Sequence, residues 1–204
     1  MSTHLVWFKR DLRIHDHAPL TEAARAGTVV GLFVFEPELW SAADADRQHW
    51  DFLLATLSEL RDRLSRRGIP LVLRTGRCPD VFDALWSAAP FEGLWAHAET
   101  GNAVTYARDR RVRAWAKARG VPFRELAAGG VVRRFASRDG WAAQWEATMR
   151  APVVHPPRQS PPAIVHDTGH VPDPASLGVR AWAARDPVPA AGERAAHDAL
   201  RSFL

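Results

Sequence analysis

The stretch that decides the fold is LVWFKRDLRIHDHAPL, residues 5–20. Its first four residues are apolar and predict a buried strand, and Pro19 suits the start of a helix. The residues between them must turn the chain out of the sheet. Asp11, Arg13 and Asp16 are able to bond each other and free backbone groups in this turn. We therefore expect a strand–turn–helix unit that these three side chains hold together without contacting a ligand.

The same alternation of apolar strands and helical segments continues for the first 126 residues. Such an order is typical of βαβ units and a mainly parallel sheet. The run VVGLFVF lacks polar alternation, which indicates a central strand buried on both faces. We predict an α/β domain over residues 1–128, with an open, doubly wound, Rossmann-like sheet of five parallel strands at Leu5–Phe8, Val29–Phe35, Leu71–Leu73, Gly93–Ala96 and Phe123–Leu126.

Helices between these strands are predicted from apolar spacing and from end signals. One of them ends before Gly68 and Pro70, and its apolar residues recur at helical spacing: Trp50, Leu53, Leu54, Leu57, Leu60 and Leu64. Another should begin near Pro79, because proline suits the first helical position. A third should run from Ala103 to Arg119, with a thin apolar stripe on a charged surface.

The pattern changes after residue 128. Segment 129–150 predicts a peripheral loop followed by a short helix near Asp139–Met149. Prolines accumulate through 151–192, where no apolar period persists, so this stretch is predicted to be a long connector. Helical character returns at 193–204. A connector of this length indicates a segment that lies across a surface or leads to a further domain.

The composition is that of an ordinary globular protein with a small basic excess. Lysine and arginine total 27 and aspartate and glutamate 23, for a net charge of +4. This excess predicts weak direct binding to nucleic acid by this chain. The best local candidates are RDRRVR at 108–113 and the pair Arg133 and Arg134. We expect these arginines to lie on solvated helix and loop faces.

The cysteine content and the hydropathy of the chain indicate the compartment in which the protein is expected. Cys78 is the single cysteine, so no internal disulfide or cysteine zinc cluster can form, and a structural role is expected for it. No apolar run reaches the roughly 18 residues of a membrane span, and the start of the chain lacks the features of a signal peptide. We expect a cytoplasmic protein with no membrane partner. The oligomeric state stays open.

Common catalytic and nucleotide-binding motifs do not occur in the chain. It has no G-x-G-x-x-G, no G-x-x-x-x-G-K-[ST] and no G-x-S-x-G. The nine histidines are scattered, and the one close pair, His15 and His17, has no acidic or cysteine partner at typical zinc spacing. We therefore predict no metal site, no hydrolytic chemistry and no catalytic residue.

The opening motif and the segments that follow it resemble the DNA photolyase and cryptochrome family. FKRDLRIHDHAPLTEA is similar to the family signature W-F-R-R-D-L-R-L-x-D-N-P-A-L, with Lys9 in place of the common arginine and His17 in place of the common asparagine. The resemblance continues in order through VVGLFVFEPEL, LVLRTG, WAHAETGNAVTYARDRRVRAW and GGVVRRFASRDGWAAQW. It covers most of the chain, and the ordered succession is more specific than any single piece.

The resemblance implies the amino-terminal domain of a light-driven flavoprotein. In the family, FAD and the pyrimidine-dimer site lie in a following helical domain, through which DNA binds. Residues 193–204 would be the first helix of that domain, whose remainder is expected to be missing here. The completed protein would be a deoxyribodipyrimidine photolyase, a lyase of DNA repair, whereas this chain alone would be no enzyme. A sensory cryptochrome without repair activity is the alternative, followed by a stand-alone adenine-nucleotide module.

The resemblance also implies an antenna chromophore, for which the carboxyl ends of the strands offer a rim. Open α/β sheets bind ligands in the crevice at this edge. Phe35 could stack on a flat heterocycle, Glu36, Glu99 or Asn102 could bond its edge, and Arg47 could approach an anionic group. We take these five residues as the candidate cofactor-binding rim.

Two features of the sequence limit which light-absorbing groups are expected in this chain. Folate-binding members of the family carry an asparagine and a glutamate where this chain has Tyr106 and Ala107, so a deazaflavin or a flavin is favoured over folate. The tryptophan chain that photoreduces FAD belongs to the family's helical domain. We therefore expect packing alone from the tryptophans at core-facing positions here, which are Trp7, Trp50, Trp86, Trp95 and Trp115.

Overall fold

The computed structural model describes residues 2–131, 139–180 and 188–204, and it confirms the α/β class with five parallel strands. The order across the sheet is β3-β2-β1-β4-β5, and every neighbouring pair is parallel. All five predicted strands lie within the observed ones, which are β1 (Thr3–Phe8), β2 (Thr28–Phe35), β3 (Leu71–Thr75), β4 (Gly93–His97) and β5 (Phe123–Leu126).

Seven α-helices and one 3₁₀ turn occur in the described residues. The short helix α2 was not predicted, because four residues are too few to show a helical period. The connector forms the 3₁₀ turn at Pro174–Leu177. The α-helices are α1 (Ala18–Ala26), α2 (Pro37–Trp40), α3 (Arg47–Ser65), α4 (Cys78–Ala88), α5 (Ala103–Arg119), α6 (Trp141–Arg150) and α7 (Glu193–Phe203).

Helices cover both faces of the sheet, and each face has its own core. One core joins alternate strand residues such as Phe8 and Phe33 to α1 and α3. The other joins the intervening residues, such as Trp7 and Leu32, to α4 and α5. Because both faces are covered, the central strands need apolar side chains at successive positions. The five tryptophans expected at core-facing positions all belong to these two cores or pack against them: Trp7, Trp50, Trp86, Trp95 and Trp115.

The order of the strands creates a switch point between β1 and β4. The chain leaves β1 and winds outward through β2 to β3, then returns across the sheet to β4 on the other side of β1. The connections on the two sides lie on opposite faces, so a crevice opens between the carboxyl ends of β1 and β4. Ligands of doubly wound folds bind at this position.

The described part of the connector lies across the surface of the α/β domain. The amide of Asp16 donates to the carbonyl of Val154 at 2.8 Å, and the amide of Leu73 in the edge strand β3 donates to the carbonyl of Thr168 at 2.8 Å. Ser160 is buried, and its Oγ accepts the amide of Val29. These bonds satisfy backbone groups that the sheet edge and the opening turn would leave unpaired. Within the described ranges, no helix combines the length and apolar character that a membrane crossing requires.

Candidate functional site

A buried cluster of charged side chains lies at the carboxyl edge of the sheet, with Arg108 of α5 at its centre. Its Nη1 donates to Glu36 at 2.8 Å and its Nη2 to Glu99 at 2.6 Å. Its Nε donates to Asp109 at 2.9 Å. The side chains of Arg108, Glu36, Glu99 and Asp109 are at most 6% exposed. A guanidinium has five N–H donors in a plane, which lets one arginine join three carboxylates.

Two further cations complete this group, which we call the Arg108 cluster: Lys9, Arg10, Glu36, Glu99, Arg108 and Asp109. Lys9 Nζ lies 2.7 Å from Asp109, and both side chains are buried. Arg10 donates to Glu99 at 2.9 Å from an exposed position. Lys9 and Arg108 also lie against the ring of Trp7, 4.8 and 4.7 Å from its centroid. Three cations therefore balance three carboxylates, which is how a folded protein tolerates charge in its interior.

The pKa values of the two glutamates in the Arg108 cluster are shifted in opposite directions. Burial raises the pKa of Glu36 above its ordinary value, although Arg108 works against this. Burial also acts to raise the pKa of Glu99, but Lys9, the Gly101 amide and the two arginines hold it below its ordinary value. The field around Glu99 is therefore the more cationic one. Burial and the neighbouring Glu36 raise the pKa of the Cys78 thiol well above its usual range, which agrees with a structural role.

A second buried group joins the opening turn to α1 and β4. Asp11 Oδ2 lies 2.6 Å from His97 Nδ1 and 2.9 Å from His17 Nε2, and Asp11 Oδ1 accepts the Lys9 amide. His17 is the N-cap of α1, where its Nδ1 accepts the amide of Leu20 at 3.1 Å. The two imidazole rings lie 4.4 Å apart. Despite its burial, the two histidines hold the pKa of Asp11 well below its ordinary value, while burial lowers the pKa of His17.

The turn residues predicted from the sequence bond the backbone more than each other. Arg13 donates to the carbonyls of His15 and Asp16. Asp16 is the one described non-glycine residue with a positive φ, at 51°, and its carboxylate accepts the amide of Val154. The carboxylate of Asp11 contacts the two histidines. The turn is therefore tied to β4 and to the connector as well as to itself.

The predicted rim residues lie at the carboxyl edge but do not form one surface. Glu36 and Glu99 converge on Arg108. Phe35 has no exposed surface, since its ring packs 5.1 Å from Phe33 and 5.3 Å from Trp50. Two rim residues lie further out: Asn102 caps α5 by accepting the amide of Thr105, and Arg47 begins α3 and pairs with Asp51 at 2.8 Å.

The expectation that the RDRRVR arginines face solvent is wrong for Arg108, which is 3% exposed. Arg111 and Arg113 fit the expectation in part, because they are partly exposed and pair with Glu38 and Glu125. Arg108 was missed because charge runs usually cover solvated faces. A signal was available: Arg108, Val112 and Ala116 are four residues apart and all buried, so they lie on one inward face of α5. Arg133 and Arg134 lie outside the described residues.

Among the described residues, two groups each contain three possible metal ligands whose ligand atoms lie within 4.8 Å of one another. One group is Asp11, His17 and His97, and the other is His15, Glu193 and His197. The structure thus supplies acidic partners for His15 and His17 that sequence spacing did not reveal. Ligand atoms around a tetrahedral ion with bonds of about 2.1 Å lie about 3.4 Å apart. The two Asp11–histidine distances are shorter than this: 2.6 Å for the hydrogen bond with His97 and 2.9 Å for the close contact with His17.

The fold and this edge define an open, doubly wound α/β domain with a cluster of buried charges at the carboxyl edge of its sheet. A family model described as DNA photolyase matches residues 4–135, and the chain belongs to that family. It is 37% identical over 76 residues to a deoxyribodipyrimidine photo-lyase of Escherichia coli, an alignment covering 36% of this chain and 16% of the relative. It is 30% identical over 215 residues to the Thermus thermophilus deoxyribodipyrimidine photo-lyase, covering 100% of this chain and 45% of the relative.

Solved structures agree on the fold. A Synechocystis cryptochrome superposes with a TM-score of 0.79 at 18% identity, covering 98% of this chain and 46% of that one. A Sulfolobus tokodaii photolyase, described as holding two FAD molecules with an implied light-harvesting cofactor, gives a TM-score of 0.63 at 19% identity, covering 86% of this chain and 40% of that one. The chain thus spans less than half the length of these relatives.

Proposed function

We propose that this chain is the amino-terminal domain of a flavoprotein that uses blue light and FAD to repair pyrimidine dimers in DNA. The observation that carries the proposal is the alignment of the whole chain with the Thermus thermophilus photo-lyase. The buried charges of the Arg108 cluster are paired with each other. This pairing agrees with a domain that does not itself carry out the repair reaction. FAD and DNA would then bind a helical domain that the connector and α7 introduce.

The test is repair of damaged DNA by the natural gene product that contains this chain. The purified protein is incubated with an oligonucleotide carrying one cyclobutane thymine dimer, in blue light and in the dark. Restoration of intact thymines in light alone supports the proposal, and denaturation should release FAD. A protein that releases FAD but leaves the dimer unchanged in light contradicts repair.

A blue-light sensor without repair activity is the second candidate. It is favoured by the superposition of nearly the whole chain on the Synechocystis cryptochrome. A sensor would show photoreduction of FAD under blue light and no loss of the dimer in the same assay. The repair assay therefore separates the two functions directly.

For this chain itself we propose an antenna site for a deazaflavin or a flavin rather than a folate. The proposed rim is Phe35, Glu36, Arg47, Glu99 and Asn102. Support comes from the convergence of Glu36 and Glu99 beside the switch point and from the exposed position of Asn102 at the start of α5. The description of the Sulfolobus tokodaii photolyase as holding a second FAD gives a precedent in a related fold. Stacking by Phe35 would require its ring to leave Trp50.

Absorption and fluorescence titrations of the 204-residue chain test the antenna site. FAD, FMN, a deazaflavin and a folate are added separately, and quenching of flavin or deazaflavin fluorescence is the expected result. Asn102→Ser should weaken binding while keeping the cap of α5, because serine is also a strong N-cap residue. Arg110→Gln, on an exposed position of α5, should change nothing. A chain that takes up none of the four ligands contradicts the antenna proposal.

A further inference from the structure

A basic cleft of about 790 Å³ lies between α3 and α7, and its lining includes none of the five antenna-rim residues. Its walls are two helix faces. The last turn of α3 contributes Arg63, and the turn that follows the helix contributes Arg66 and Arg67. Helix α7 contributes Arg194, His197 and Arg201, which follow a helical spacing of three and four residues. His15 of the opening turn also lines the cleft. Three distant segments thus place basic side chains around one concave space.

The charges in the basic cleft are only partly neutralised. Five arginines line it against two carboxylates, Glu59 and Asp62, and Arg63 also pairs with Glu193 beside the lining. Glu59 pairs with Arg63 and accepts the amide of Arg194. Arg201 pairs with Asp198. In the described part of the chain, Arg66, Arg67 and Arg194 have no ion pair with a carboxylate.

The guanidinium groups of Arg66 and Arg67 are held in place by backbone carbonyls. Arg66 Nε donates to the Asp62 carbonyl, and Arg67 donates to the carbonyls of Arg63 and Pro157. The bonds to Asp62 and Arg63 cover carbonyls at the end of α3 that would otherwise present negative charge to the cleft. Burial and the proximity of Arg63 and Arg66 lower the pKa of Arg67 below its ordinary value. Like charges crowded in this way are relieved when an anion binds between them.

The histidines of the basic cleft are better placed for an anion than for a metal ion. His15, His197 and Glu193 lie within 4.8 Å of one another. However, Glu193 already accepts the amides of Ile14 and His15 and pairs with Arg63 at 2.8 Å. Its negative charge is therefore largely satisfied, and the surrounding arginines repel a cation.

We propose that the basic cleft binds the phosphate groups of a nucleotide-sized ligand. Arginine recognises phosphate oxygens through paired N–H donors, and small-molecule sites typically enclose about 300–1,000 Å³. An extended nucleic acid would require a basic stripe rather than one concave cleft. This binding site uses none of the five antenna-rim residues, and it does not depend on whether the protein repairs DNA.

Isothermal titration calorimetry on the 204-residue chain tests the basic cleft with three probes: sodium pyrophosphate, ATP and a twelve-nucleotide single-stranded DNA. Pyrophosphate and ATP should bind, and both affinities should fall as sodium chloride is raised. The double variant Arg66→Gln/Arg194→Gln should weaken both by about tenfold or more, since charged hydrogen bonds are lost. The matched control Arg110→Gln removes a charge elsewhere and should leave both affinities unchanged.

Three results would overturn the inference: no heat with pyrophosphate and ATP, equal loss in the Arg110→Gln control, or DNA binding tighter than ATP binding. Circular dichroism of each variant checks that the fold is retained. If the double variant does not fold, the single variants and the salt series on the unaltered chain carry the test. Because the readout involves neither chromophore uptake nor light, failure here leaves the antenna and repair tests unaffected.

Discussion

Arg108 Nη2 and Glu99 Oε2 lie 2.6 Å apart with both side chains almost fully buried, and this pair ties α5 to the carboxyl end of β4. The same guanidinium reaches Glu36 after β2 and Asp109 beside it. One arginine thus forms ion pairs with three carboxylates from three parts of the chain. Arg108 therefore connects the segments after β2 and β4 to α5 at the carboxyl edge of the sheet.

Arg108→Met should destabilise the chain by about 3–5 kcal/mol, because buried carboxylates lose their common partner. Methionine keeps much of the volume of the arginine side chain, so the loss of stability reflects the missing charge rather than a packing defect. Urea denaturation followed by tryptophan fluorescence measures it. Arg110→Met, on the exposed side of the same helix, should stay within about 0.5 kcal/mol of the unaltered chain. Equal costs for both variants would contradict the central role of Arg108.

Glu99→Gln should cost more stability than Glu36→Gln at pH 7. Lys9 and two arginines favour the charged form of Glu99, whereas burial disfavours the charge of Glu36. We expect a loss of about 1–3 kcal/mol for Glu99→Gln and a smaller one for Glu36→Gln, because a hydrogen bond to a charged group is worth more when the field supports the charge. Paired denaturation curves measure the difference, and the reverse order would refute it.

The stability of the chain should fall on mild acidification through His17. Burial lowers the folded-state pKa of His17 below the ordinary 6.5, so the folded state resists a proton that the unfolded state accepts. Its contribution is full above pH 6.5 and is lost as pH falls towards the folded-state pKa, by up to about 1.4 kcal/mol per pH unit. The Asp11 contribution is separate, because its pKa is already below 3.8 and its loss begins only under that pH.

His17→Asn isolates this effect, since asparagine also caps helices well. The variant should show a smaller change in the free energy of unfolding between pH 7.5 and pH 5.5 than the unaltered chain. His49→Asn, at an exposed position in α3, serves as the control and should keep the original pH dependence. An unchanged slope in His17→Asn would exclude His17 as the titrating group.

Sequence reasoning found the sheet because its signals are local. Apolar runs and helical periods each occupy a few neighbouring residues, so VVGLFVF alone predicted a central strand. The Arg108 cluster has no such signature: Lys9 and Asp109 are 100 residues apart, and a buried charge resembles a surface charge until its partners are known. The basic cleft was missed for the same reason, because Arg66 and Arg194 line the same space only after α7 packs against α3.

Gly169→Ala should destabilise the chain more than Gly120→Ala, although both glycines have a positive φ, of 71° and 67°. An added Cβ at Gly120 meets no atom within 4 Å, so only backbone strain of about 1–2 kcal/mol applies. At Gly169 the Cβ would lie 2.0 Å from the carbonyl oxygen of Leu73. The connector must then move from the edge of β3, and the bond between the Leu73 amide and Thr168 is lost. Hydrogen exchange at Leu73 should accelerate in Gly169→Ala alone; equal exchange in both variants would contradict the contact.

Glu193→Gln should release α7 and the connector from the opening turn. The carboxylate accepts the amides of Ile14 at 2.9 Å and His15 at 3.0 Å, and it pairs with Arg63. Glutamine has only one acceptor oxygen, so at least one buried amide loses its partner, at a cost of about 1–3 kcal/mol. The equilibrium constant for local opening should rise about tenfold, since a loss of about 1.4 kcal/mol corresponds to a factor of ten in an equilibrium constant. Trypsin should therefore cut the connector at Arg158 about tenfold faster, as judged by mass spectrometry of the fragments.

Glu146→Gln is the matched control, because Glu146 pairs with Arg150 on an exposed face of α6 and contacts neither the turn nor α7. Its cleavage rate at Arg158 should equal that of the unaltered chain. If Glu193→Gln is cut no faster than this control, the bonds from Glu193 to the opening turn do not hold α7 in place. If it is cut faster, the motif that begins the sheet also anchors the helix at residues 193–203, and the first and last described elements stabilise one another.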